Sequence, residues 1–162
     1  MKHIRIITDS TEKTRKLGAK FSELLTIGDV VGFIGDLGGG KTTFTQGILQ
    51  GLNYDGAVTS PTFTLVHEYP TNPKIYHLDC FRIKVHSDYA SIGIDDFLLD
   101  DAILLIEWAD KIIDYFILRT WQVVFNFVEG SDQRRELVFH HNKPAEMQRL
   151  ADHFRDFIME TQ

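Results

Sequence analysis

One cysteine, Cys80, stands alone in 162 residues, which excludes an internal disulfide and a cysteine-built zinc cluster. A lone thiol suits a reducing compartment, and in its apolar setting Cys80 reads as a small strand residue rather than a reactive group. Long hydrophobic runs are also missing, and nothing approaches the ~20 apolar residues that span a bilayer. The start, Met1-Lys2-His3-Ile4-Arg5, interrupts its apolar residues with charge and is no secretory signal, so a cytoplasmic location without membrane contact is expected. Basic residues are in deficit, with 17 Lys and Arg against 23 Asp and Glu, a formal charge of −6 and a pI near 5.6. That balance argues against a broad nucleic-acid footprint, since counterion release needs clustered cations. His67, His77, His86, His140 and His141 have no repeated spacing to cysteines or carboxylates, so they read as strand or surface residues and no zinc site is expected. Repeats, low-complexity tracts and a linker long enough to split the chain are absent as well, and residues 1–162 are expected to form one domain.

What is present is a succession of short elements. His3 to Thr8 alternates Ile4, Ile6 and Ile7 with polar residues and reads as a strand, after which Asp9 or Ser10 caps a helix. That helix carries Leu17, Phe21, Leu24 and Leu25 on one face and is expected to stop near Gly28. Val30 to Ile34 is a near-continuous apolar strand of the buried parallel type. Thr43 to Leu52 has Phe44, Ile48, Leu49 and Leu52 at helical spacing, ended by Gly51 and Asn53. Strands are expected at Thr62 to Tyr69, Lys74 to Leu78, Ala102 to Ile106, Trp121 to Val128 and Glu136 to His140, with a short helical segment at Asp95 to Asp101. A last helix opens at Pro144 and buries Met147, Leu150, Ala151, Phe154, Phe157 and Ile158. Strand–helix units followed by consecutive strands predict an α/β fold with a mixed sheet.

The residues between the Val30 to Ile34 strand and its helix are Gly35-Asp36-Leu37-Gly38-Gly39-Gly40-Lys41-Thr42-Thr43. They fit the phosphate-loop pattern of Gly, four residues, Gly-Lys-Ser/Thr, in the strand–loop–helix setting that the chemistry requires. Backbone N–H groups of such a loop converge on phosphate oxygens, and the following helix adds its positive dipole end. Lys41 is the group to reach the β- and γ-phosphates, and the Thr42 hydroxyl the one to ligate bridging magnesium. A second acid belongs at the carboxyl end of a neighbouring strand. Asp79, directly after Ile75-Tyr76-His77-Leu78, and Glu107, directly after Ala102 to Ile106, both qualify. One would hold the metal and the other would orient or deprotonate water, and the residues alone do not assign the two roles. Between loop and acids, Thr59-Ser60-Pro61-Thr62-Phe63-Thr64 is either a γ-phosphate-sensing switch or a turn entering a strand. Arg82 could neutralise developing charge, though a surface ion pair is the commoner fate of an arginine.

Four motifs in order, Gly-Asp-Leu-Gly-Gly-Gly-Lys-Thr-Thr at 35–43, Ser-Pro-Thr-Phe at 60–63, His-Leu-Asp-Cys-Phe-Arg at 77–82 and Ile-Glu-Trp-Ala at 106–109, resemble the bacterial TsaE (YjeE) family over most of the chain. The resemblance implies a single-domain P-loop NTPase fold with a mixed, mostly parallel central sheet flanked by helices. It implies an ATPase, with ATP and Mg2+ bound, that serves threonylcarbamoyladenosine modification of ANN-decoding tRNA with the partners TsaD and TsaB. The chemistry on tRNA then belongs to TsaD, and this chain meets tRNA only indirectly. By motif, Lys41 and Thr42 bind phosphate and magnesium, Glu107 is the metal-side acid, Asp79 acts in hydrolysis, Trp108 sits beside the nucleotide, and Ser60, Pro61, Thr62 and Phe63 form the switch. Gly39 stands where an alanine is usual, and Cys80-Phe81 where Leu-Tyr is usual, which removes a phenolic hydroxyl.

Other classes use the same loop. A small-molecule kinase needs several arginines to clamp a second phosphate, but only Arg82 and Arg119 lie between the loop and Arg134-Arg135. A GTPase needs Asn-Lys-x-Asp, and Asn142-Lys143-Pro144-Ala145 ends on a residue that cannot accept from guanine. A non-catalytic nucleotide-binding regulatory subunit differs from an ATPase in having no turnover. For the adenine pocket the sequence offers only Thr11 or Thr14, from their expected closeness to the loop.

Overall fold

The structure, a computed structural model, describes residues 3–36, 38–58, 66–79, 96–97, 100–107 and 120–159. Its sheet is built from β1 (Ile4–Thr8), β2 (Val30–Ile34), β3 (Val66–Tyr69), β4 (Lys74–Asp79), β5 (Ala102–Glu107), β6 (Thr120–Phe127) and β7 (Arg135–His141). The spatial order is β1-β7-β6-β2-β5-β4-β3. β2 lies between β5 and β6 and parallel to both, and β4 continues the parallel set beyond β5. β3 and β7 run the other way, each antiparallel to its neighbours, so the sheet is mixed and mostly parallel. β5 is buried at all six positions, and its apolar run Ala102 to Ile106 is what a strand covered on both faces requires.

The principal helices are α1 (Thr11–Ser22), α2 (Lys41–Gly51), α3 (Pro144–His153) and α4 (Arg155–Met159). Ser10 caps α1, its hydroxyl accepting from the Lys13 N–H at 3.1 Å, the expected chemistry for a helix whose first amides lack partners. α1 stops at Ser22 rather than near Gly28. Leu24 and Leu25 instead follow in tight turns, their N–H groups donating to Phe21 O and Ser22 O, which drops both side chains into the core. α1 crosses α2 at glycines: a Cβ on Gly47 would stand 2.0 Å from the Arg15 carbonyl oxygen and one on Gly18 2.3 Å from that of Phe44. The two backbones touch, and only glycine permits that approach.

One face of the sheet, carrying Val31, Phe33, Ile75, Ile103, Leu105, Trp121, Val123, Phe125, Leu137 and Phe139, packs on Leu17, Phe21, Phe44, Ile48, Leu150 and Phe154 of the helices. A smaller cluster of Val30, Tyr76, Leu78, Leu104 and Ile106 occupies the opposite face with Phe97 against it. The expected last helix is two, parted at Phe154, which is fully buried against Phe139 at a ring separation of 5.3 Å. Of the strand expected at 62–69 the described part is Val66–Tyr69, and of the helix expected at 95–101 it is the pair 96–97, with bends at 100–101.

Candidate functional site

β2 delivers the chain to the carboxyl end of the sheet, where the glycine loop turns it back into α2. Gly38 and Gly40 adopt left-handed backbone, φ 78° and 102°, a conformation costly for any residue with a Cβ. Gly40 is the N-cap of α2, so no side chain caps the first turn, and no acidic residue lies in it. The N–H groups and dipole of that turn are left for an anion. Lys41 is 7 % exposed, and its ammonium donates to the carbonyls of Gly35 and Asp36, the latter at 3.3 Å. Those two dipoles hold the cation at the mouth of the loop. Gly39 N–H donates to Asp36 O at 3.1 Å, closing the loop on itself. Thr42 and Thr43 follow in the first turn, both half-buried.

Parallel register fixes the acids. Asp79 stands opposite Glu107, and Glu107 opposite Phe33, so both carboxylates end their strands beside the place where β2 enters the loop. They are 4 % and 3 % exposed, and burial of two carboxylates side by side is costly unless a cation or donors meet them. A hydroxyl such as that of Thr42 and a carboxylate are the hard oxygen donors that magnesium takes, with phosphate and water completing its shell. His77, two residues before Asp79 and on the same face, is fully buried, with Nε2 3.5 Å from Glu107 Oε1. Neither ring nitrogen makes a hydrogen bond among the described residues. Reading the sequence left His77 as an ordinary strand residue, because its neighbour Glu107 comes from another strand. The one available signal was its two-residue spacing from Asp79.

Thr14 lies against the loop, its methyl 3.7 Å from where a Gly40 Cβ would be. Its hydroxyl is bonded to Thr8 Oγ1 at 2.6 Å and donates to Ser10 O at 3.2 Å. Thr11, the first residue of α1, is exposed. On the other flank Arg135, which sequence reading did not single out for the site, donates from Nε to Gly38 O at 3.1 Å. Leu37, Cys80, Arg82, Trp108, Arg119 and the candidate switch Ser60 to Phe63 lie outside the described residues.

The family model "Threonylcarbamoyl adenosine biosynthesis protein TsaE" matches residues 8–137. The tRNA threonylcarbamoyladenosine biosynthesis protein TsaE of Bacillus subtilis is 34 % identical over 140 residues, covering 86 % of each chain. Its counterpart in Haemophilus influenzae is 44 % identical over 102 residues, 59 % of this chain and 65 % of that one. A crystal structure of Bacillus subtilis YdiB superposes with a TM-score of 0.78 at 28 % identity, over 96 % of both chains. The matched span of the family model holds the loop, both strand-end acids and the strands that join them, and on these grounds the chain belongs to the TsaE family.

Proposed function

We propose that this protein binds Mg-ATP at the 35–43 loop, hydrolyses it slowly, and supports threonylcarbamoyladenosine modification of tRNA in concert with TsaD and TsaB. The TsaE names of its relatives support the pathway. The observation that carries the ATPase reading is the buried Asp79 and Glu107 pair in register beside the loop. Loop and helix amides cradle the phosphates, and Lys41 exchanges its two carbonyl partners for phosphate oxygens, following the charge as it develops. Thr42 and Glu107 would hold magnesium, which when bound would supply neutralisation of the phosphate charge. Asp79 accepts a hydrogen bond from the attacking water and aims it. Trp108, next in chain to Glu107, lies at the nucleotide, and the Ser60 to Phe63 segment responds to the γ-phosphate. ATP can do work on a partner only if its bound states differ in contacts to that partner, and the switch segment carries that difference.

The test is reconstitution with TsaD, TsaB and tRNA. Phosphate release rises when the partners are added, and modification over many turnovers requires this protein. Ser60→Ala lowers the partner-stimulated rate more than nucleotide affinity. Unstimulated turnover with no effect on modification contradicts the partnership, and a phosphorylated small-molecule product moves the protein to the kinase class.

A further inference from the structure

One face of β4 and β5 turns from core to acids along its length. On β4 it carries Ile75, His77 and Asp79, and on β5 it carries Ile103, Leu105 and Glu107, paired in parallel register in that order. At the middle position Leu105 belongs to the apolar core, and across from it stands His77, fully buried. A leucine at 77 would extend the same core. The imidazole instead brings two polar nitrogens, and neither makes a hydrogen bond among the described residues. Burying such a group unpaired is costly, and most buried polar side-chain atoms have a partner. Glu107, on the diagonal from His77, places its Oε1 3.5 Å from Nε2. That separation is about half an ångström longer than a formed N–H···O bond.

We infer that His77 is a positioning residue for Glu107: with nucleotide and magnesium bound, its Nε2–H donates to Glu107 Oε1, which fixes the carboxylate and leaves Oε2 for the metal. The inference rests on the reading of Glu107 as the metal-side acid. The role needs only the neutral imidazole with its proton on Nε2. His77 is the fixed member of the pair, since it lies inside β4 with β3 and β5 registered on either side. Glu107 is the member that moves, because it is the last residue of β5 and its side chain is the longer and more flexible. Hydrogen bonds of this kind commonly stand long in the free protein and tighten in the complex. A carboxylate held from behind by such a bond offers the metal one oriented oxygen instead of two rotating ones. Core filling accounts for the burial of residue 77, but not for a side chain with two nitrogens to satisfy, set beside a buried carboxylate.

The full chain, its His77→Leu, His77→Gln and Glu107→Ala variants, and the double variant with His77→Leu and Glu107→Ala are titrated calorimetrically with ADP at a series of magnesium concentrations and in EDTA. Each is also unfolded thermally without ligand. His77→Leu is expected to raise the magnesium concentration for half-maximal ADP binding by roughly 10- to 100-fold, while ADP affinity in EDTA stays within about twofold of wild type. It should unfold no lower than wild type, because an apolar side chain has replaced a buried unpaired polar one. His77→Gln, whose amide can offer an N–H near the Nε2 position, is expected to restore most of the magnesium response. In the Glu107→Ala background His77→Leu should add nothing, since the imidazole acts through that carboxylate. An unchanged magnesium requirement in His77→Leu overturns the role, as does an additive loss in the double variant. Equal losses in His77→Leu and His77→Gln, a loss that persists in EDTA, or a lowered unfolding temperature returns His77 to packing. If ADP binding by the wild type ignores magnesium, the metal reading of Glu107 itself fails, an outcome distinct from failure of His77 alone.

Discussion

Asp79 and Glu107 are neighbours in register and alike in burial, yet the proposed chemistry asks different things of them. A metal ligand is needed for binding, whereas a water-orienting acid is needed only in the transition state. Glu107→Ala should raise the magnesium concentration needed for nucleotide binding, while Asp79→Asn should bind nucleotide nearly normally and lower kcat by roughly 100-fold. Titrating magnesium and ATP against both variants checks this, and exchanged phenotypes would mean exchanged roles. At this scale the loop residues and both acids were legible in the sequence, because glycine spacing and an acid directly after an apolar strand are local patterns. His77 and Arg135 were not, because what singles each out is a neighbour distant in the chain: Glu107 beside His77 and Gly38 beside Arg135.

Among the elements, the α1–α2 crossing is the most demanding junction, because backbone meets backbone at Gly47 and Arg15. Gly47→Ala should destabilise the fold by about 3 kcal/mol, since its Cβ overlaps a carbonyl rather than a side chain that can turn aside. Chemical denaturation measures the loss, and a stability within about 0.5 kcal/mol of wild type would show that the helices separate freely. The joint between β7 and α3 makes a second prediction. His141 is 5 % exposed, packs edge-on against Trp121, and accepts the Lys143 N–H at Nδ1. Burial pushes its pKa below the ordinary 6.5. A lowered pKa means that the unfolded chain binds the proton more readily, so this contribution to stability is complete above about pH 6.5 and is lost as pH falls toward the folded value. Thermal unfolding at pH 7 and pH 5 should therefore show a steeper decline for wild type than for His141→Asn, and equal declines would exclude the linkage. Element types were mostly readable, since β2, β5 and α2 state their burial in uninterrupted or helically spaced apolar residues. The break between α3 and α4 was not. Phe154 N–H still donates to Leu150 O and Ile158 N–H to Phe154 O, so the apolar stripe keeps its spacing through the break and carries no sign of it.

For the molecule as a whole, the sequence pattern implied a mixed α/β sheet but not its order. The flanking of β2 by β5 and β6 joins segments some seventy and ninety residues away from it, and no local preference encodes which distant strand is the neighbour. That order sets the acids on one side of the loop and the end of the β6–β7 ladder on the other. The central claim, that this assembly is a magnesium-dependent ATPase, is tested most directly by phosphate release from Mg-ATP by wild type and Lys41→Ala, with matched unfolding curves showing that both are folded. The account predicts slow, magnesium-dependent release by wild type and a loss of roughly 100-fold or more in the variant, because the lysine ammonium at the loop is gone. Near-wild-type release by a correctly folded Lys41→Ala protein would contradict it.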